Sequence, residues 1–163
     1  MSIEDQIRTI EQKVATLIRD EPGVFLVEIR IKPTNNVKVF VDADNGISIE
    51  KLVQYNRKLY KDFEESGFFP GGDFSLEVSS PGLDEPLKLY RQYLKNIGRN
   101  VEVVRKDGSK TEGQLMRATE AEIVVEEVRG KNLPGRQAGK KKEVVTHTIS
   151  FDNIKTTTIQ IKF

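Results

Sequence analysis

The chain has 163 residues, with 26 Lys and Arg against 25 Asp and Glu, no cysteine and a single histidine. Such a length permits one domain or two small ones, and the lack of cysteine excludes a disulfide framework or a thiolate metal site and suits a reducing compartment. The sequence holds neither an apolar run of about 18 residues nor a basic-then-apolar leader, so a soluble, cytoplasmic protein is expected.

Ser2, with Asp5 three residues on, forms a capping box. Ile3, Ile7, Ile10, Val14, Leu17 and Ile18 follow at helical spacing, predicting an amphipathic helix over about residues 3–19 that Pro22-Gly23 stops. Val24–Ile31 and Val37–Val41 are β-rich runs split by Lys32-Pro33-Thr34-Asn35-Asn36, a hairpin by its turn residues. Ser48 caps a second helix, with Ile49, Leu52, Val53, Leu59, Tyr60 and Phe63 expected inward and Gly67 closing it. Phe74, Leu76 and Val78 alternate with polar Ser75, Glu77 and Ser79, a half-buried strand. The expected unit is α-β-β-α-β: a three-stranded sheet with two helices on one face.

Ser80-Pro81-Gly82-Leu83 reads as a type II turn, because Pro81 presets φ at its second position and Gly82 permits the positive φ required at its third. Asp84 can cap a short turn beginning at Glu85-Pro86. Ser79, Ser80, Pro81, Gly82, Leu83, Asp84, Glu85 and Pro86 therefore form a stiff connector between two domains, residues 1–86 and 87–163. The run Leu76-Glu77-Val78-Ser79-Ser80-Pro81-Gly82-Leu83-Asp84-Glu85-Pro86-Leu87 resembles the signature of the RimP family, bacterial factors that assist maturation of the small ribosomal subunit. The resemblance implies an α/β N-terminal domain joined to an Sm-like C-terminal barrel. It departs at Glu85, where the family often carries a basic residue.

Beyond the connector, Tyr90–Ile97 has room for a short helix ending at Gly98. Five short β-rich runs follow, Asn100–Arg105, Lys110–Ala118, Glu122–Val128, Glu143–Ser150 and Lys155–Phe163, with tight turns at Asp107-Gly108 and Thr119-Glu120. Five strands in so short a stretch suggest a small, strongly bent barrel of the SH3 or Sm type. Between the third and fourth runs, residues 129–142 hold Arg129, Lys131, Arg136, Lys140, Lys141 and Lys142, with three glycines, one proline and no acidic residue. Such a stretch has little apolar surface to bury, so a mobile loop is expected there.

The charge is unevenly divided. Residues 1–88 carry 11 basic and 16 acidic side chains, whereas residues 89–163 carry 15 and 9. The basic half, and the loop above all, is the candidate for contact with a phosphate backbone.

Catalytic and metal constellations are not apparent. His147, in the fourth of those strands, is flanked by Thr146 and Thr148 and reads as structural. Ser79 and Ser80 lack the flanking glycines of a nucleophile elbow, which leaves them capping or turn roles. Asp42-Ala43-Asp44-Asn45-Gly46 has a calcium-loop look, but glycine arrives one position early and Val53 stands where a bidentate glutamate belongs. Residues 67–72 contain no Gly-x-x-Gly clamp, which argues against a KH-type reading. No nucleotide-binding loop is present, and no cofactor is expected.

What remains is a binding protein. The resemblance implies a target, the immature small subunit, with contact to its RNA and to a small-subunit protein near the decoding centre. A non-enzymatic assembly factor of this kind is the favoured reading, as a monomer and without a membrane. The alternative is a free-standing Sm-type chaperone of small RNAs. Its ring would need exposed barrel edges to pair, and an N-terminal domain beside the barrel would obstruct that.

Overall fold

A computed structural model describes residues 2–82, 85–130 and 142–160. The chain divides into two compact units, Met1–Gly82 and Leu83–Phe163.

In the first unit, helix α1 spans Ile3–Leu17, and the Ser2 side chain accepts the Asp5 N–H at 3.1 Å. It stops two residues short of the expected end, with Ile18 already at the C-cap. Strands β1 (Val24–Lys32) and β2 (Asn36–Ala43) pair antiparallel through a turn in which Thr34 and Asn35 take φ of 66° and 56°. Two consecutive left-handed residues match the right-handed twist of the flanking strands, and Asn35 Nδ2 donates to the Asp73 carbonyl at 3.1 Å. Helix α2 (Ile49–Ser66) starts at Ser48, whose hydroxyl accepts the Lys51 N–H, and ends at Gly67 in the left-handed region. Strand β3 (Ser75–Ser79) then lies parallel to β2, so α2 is a crossover and the sheet order is β1-β2-β3.

Val37, Val39 and Val41 alternate along β2 and join Ile29, Val78 and both helices in one core. The expected inward face of α2 holds at Leu52, Leu59 and Phe63 and is corrected elsewhere. Tyr55, Leu59 and Phe63 are its buried residues, while Ile49 and Val53 are exposed and Tyr60 is only partly covered. Tyr60 lies beside Phe74, with ring centroids 4.8 Å apart.

In the second unit, helix α3 (Tyr90–Lys95) precedes β4 (Asn100–Arg105), β5 (Lys110–Ala118), β6 (Glu122–Gly130), β7 (Lys142–Ser150) and β8 (Ile154–Ile159). All ladders are antiparallel, in the order β7-β6-β5-β4-β8. A one-turn 3-10 helix, Phe151–Asn153, carries the chain from one sheet edge to the other. Where a strongly bent barrel is expected, the described residues form a five-stranded antiparallel sheet with β7 and β8 at its edges and no ladder between them.

Register shifts at Leu115/Arg117 and Val104/Arg105 bend that sheet around Val101, Val103, Leu115, Ile123, Val125 and Ile149, with Tyr93 of α3 packed on them. The turns form where expected. Asp107 Oδ1 accepts the Ser109 N–H and hydroxyl at 2.8 and 2.6 Å, and Thr119 Oγ1 accepts the Ala121 and Glu122 N–H groups. These bonds hold the Asp107 carboxyl below its usual range, with the Ser109 hydroxyl the largest cause.

Candidate nucleic-acid interface

The basic stretch falls mostly outside the described residues: Lys131, Arg136, Lys140 and Lys141 are among those not described. Its two ends are placed. Gly130 of β6 stands opposite Lys142 of β7, and Arg129 opposite Glu143. Because side chains alternate along a strand, Arg129 and Glu127 share a face, and Arg129 Nε bonds Glu127 Oε1. The other carboxylate oxygen, Oε2, lies 3.8 Å from His147 Nε2. Acid-free in sequence, the stretch thus begins beside two carboxylates, and Arg129 brings less net positive charge than its position suggests. His147 sits half-buried beside Glu127, with its Nε2 unbonded among the described residues. On the opposite face of the same hairpin, Val128 and Val144 are register partners, and both are exposed.

A second basic surface escaped the sequence reading. Residues 86–101 contain Lys88, Arg91, Lys95 and Arg99 and no acidic residue. The four-residue step from Arg91 to Lys95 puts these two on one side of α3, and Lys88 precedes its N-cap, Leu89. Backbone bonds then fasten this segment along β5: the Gly98 N–H donates to the Leu115 carbonyl at 2.7 Å, and the Leu115 N–H to the Arg99 carbonyl at 2.9 Å. Gln114 Nε2 donates to the Gly98 carbonyl, and the Tyr90 hydroxyl to that of Ala118. Met116 and Arg117 lie between these tie points, so Arg117 joins Arg91, Lys95 and Arg99 in one strip, with Leu94, Ile97 and Met116 exposed among them. Arg99 and Arg117 form no ion pair among the described residues. The signal was the spacing 88, 91, 95, 99 in an acid-free run, but only the ties to β5 bring in Arg117.

The connector is described at its two ends. Ser79 closes β3 opposite Phe40 of β2, and the Leu87 N–H donates to the Thr157 carbonyl of β8 at 2.8 Å. Ser80, Pro81, Gly82, Glu85 and Pro86 are described, whereas Leu83 and Asp84 are not, so the expected type II turn and the Asp84 cap lie outside the described residues. Past the connector, Gln92 Oε1 accepts the Lys88 and Leu89 N–H groups at 2.6 and 2.9 Å, which starts α3 and fixes where Lys88 leaves the backbone.

The first unit offers a contrasting cleft between α1 and α2, lined by Thr9, Gln12, Lys13, Leu59 and Asp62. Lys13 is held there by the Asp62 carboxylate, and Lys58 lines the same cleft. Among the described residues no group of three or more His, Asp or Glu is placed to hold a metal ion, and no helix is long and apolar enough to cross a membrane.

Residues 14–84 match the family model of the RimP N-terminal domain. The chain is 31% identical over 149 residues to the ribosome maturation factor RimP of Flavobacterium psychrophilum, covering 90% of this chain and 88% of that protein. It is 31% identical over 162 residues to the protein of that name from Cytophaga hutchinsonii, at 94% and 95% coverage. To its counterpart in Chlorobium phaeobacteroides it is 34% identical over 169 residues, at 93% and 95%.

Proposed function

The chain belongs to the RimP family of ribosome maturation factors, and from that premise we propose that it is a non-enzymatic assembly factor. It binds the immature small (30S) ribosomal subunit in the cytoplasm, as a monomer, and promotes late folding of its RNA. The observation that carries this reading is the strip of basic side chains that residues 86–101, acid-free in sequence, form with Arg117 of β5. Arg91, Lys95, Arg99 and Arg117 there supply the positive charge that contact with a phosphate backbone requires, with exposed apolar side chains among them.

The connector residues separate two folding units, proposed as residues 1–86 and 87–163, and the second is a barrel of Sm type. Consecutive short antiparallel strands, bent by two register shifts, support that reading. The segment with Lys131, Arg136 and Lys140–Lys142 adds sequence-independent affinity by neutralising phosphates. The acidic half meets a basic small-subunit protein or one shaped RNA site, because its charge repels duplex RNA at large.

Two measurements test this. Cells lacking the chain should accumulate free small subunits carrying unprocessed RNA on a sedimentation gradient, and a normal profile would sink the assembly role. In purified material, Lys140, Lys141 and Lys142 replaced together by Ala should lower the salt dependence of precursor binding by roughly 2–3 in logarithmic slope, about 0.9 for each phosphate no longer neutralised. Replacing Arg99 and Arg117 by Gln should lower it by about 2 on the same basis. Unchanged slopes in both would remove the basic surfaces from the interface.

A further inference from the structure

We propose that the second unit holds one unpaired nucleotide of RNA in a cleft beside α3, its base among aromatic rings and its phosphate at Lys155 and Lys88. The inference rests on the RNA-binding reading above and adds a site to it.

The cleft measures about 380 Å³, within the range of small-ligand sites. Half-buried Tyr90 and Phe151 line it, and Tyr93, buried in the core, backs Phe151 with ring centroids 5.1 Å apart and planes at 75°. Each wall is held in place by the fold. The Tyr93 hydroxyl donates to Thr157 Oγ1 at 2.8 Å, and the Phe151 N–H to the Ala121 carbonyl at 3.0 Å. The Leu87 N–H is bonded to Thr157, and the Tyr90 hydroxyl to Ala118. The site is therefore ready-made, which limits the ordering cost of binding.

Chemistry at the rim selects the occupant. Aromatic faces accept any base by stacking, and two lysines on the rim suit a phosphate. Lys155 forms no ion pair among the described residues. Glu120, also on the rim, can accept a hydrogen bond from an exocyclic amine, so cytosine is favoured over uracil. A base inside a duplex stays stacked and paired and cannot enter, so the occupant is single-stranded or extruded. The sites already described use backbone charge alone; this one adds a contact to a base.

The test titrates the full chain with cytidine 5′-monophosphate, uridine 5′-monophosphate and inorganic phosphate at constant ionic strength, following amide cross-peaks of Tyr93, Phe151 and Lys155 by NMR. The expected result is saturable shifts with the cytidine nucleotide, weaker ones with uridine, and a different pattern with phosphate. Lys155→Gln, at an exposed position, should weaken cytidine nucleotide binding about fivefold, as expected for one exposed charge pair. A single-stranded oligonucleotide should compete for the site and a fully paired hairpin should not. Shifts reproduced by inorganic phosphate, or absent with every nucleotide while precursor binding persists, would overturn the cleft and leave the assembly reading intact. Nucleotide binding by a chain that fails to bind small-subunit RNA would overturn RNA as the source.

Discussion

The two units bury different things. In the first, Phe63 lies against Phe68, Phe69 and Phe74 at centroid distances of 5.1, 6.0 and 5.7 Å, and aromatic volume fills the space between two helices and a sheet. In the second, the core is aliphatic apart from Tyr93, and the buried polar residues among those described, Gln92, Asn96, Thr111 and Thr157, all belong to that unit. A small bent sheet has little interior volume, so its stability depends on satisfying every polar group that the bends and the short helix push inside. Two helices packed on a sheet can rely on apolar area instead.

Single substitutions should expose that difference. Phe63→Ala, in the first unit, should cost about 3–5 kcal/mol by denaturant titration, because four rings share one cluster and none can collapse into the space. A destabilisation below about 1 kcal/mol would show that the neighbouring rings do close the cavity.

The corresponding weak point of the second unit is a backbone approach. A Cβ at Gly113 would stand 2.4 Å from the Glu126 carbonyl oxygen on β6. Gly113→Ala should therefore cost about 1–3 kcal/mol and separate the β5–β6 ladder, visible as faster amide exchange at Glu126. Unchanged exchange at Glu126 would mean that the ladder accommodates the added Cβ without parting.

The smallest effects make the sharpest contrast, through two buried tyrosines. The Tyr93 hydroxyl bonds Thr157, whereas the Tyr55 hydroxyl has no hydrogen-bond partner among the described residues. Tyr93→Phe should destabilise by about 1 kcal/mol, and Tyr55→Phe should be neutral or slightly stabilising. Burial also pushes the Tyr93 phenol above its ordinary value of 10.0, the Thr157 bond opposing this only in part. Up to that pH the phenol is protonated both folded and unfolded. Above it the unfolded chain ionises first, so stability falls as pH rises towards the folded value. The fall between pH 9 and 11, read from denaturation midpoints, should be shallower in Tyr93→Phe than in the parent. An equal fall would assign it to other groups.

Local signals were legible. Ser2, Ser48 and Gly67 act on backbone groups within one helical turn, and the structure places each where its chemistry requires. The alternation in β2 and the turns at Asp107 and Thr119 were equally plain. The RimP resemblance, carried by residues 76–87, was readable for the same reason, since its Ser-Pro-Gly core constrains a few consecutive dihedrals.

The inward face of α2 was legible only in part, since Leu52, Leu59 and Phe63 were expected inward and Tyr55 was not. Ile49, Val53 and Tyr60 extend the apolar stripe beyond Leu59 and Phe63, and periodicity cannot say where the covered part ends. Nor could spacing reveal that β3 runs parallel to β2, that Glu127 turns back on Arg129, or that Arg117 lies along the acid-free segment before β4. In the cleft, Tyr90 and Tyr93 meet Phe151 and Lys155 across more than fifty residues of chain. Capping, turn and alternation preferences are energies of neighbouring residues, so the sequence alone determined the elements and their ends. Burial, ion pairing and the composition of a site depend on which surfaces exclude water together, and those are settled only when distant segments pack.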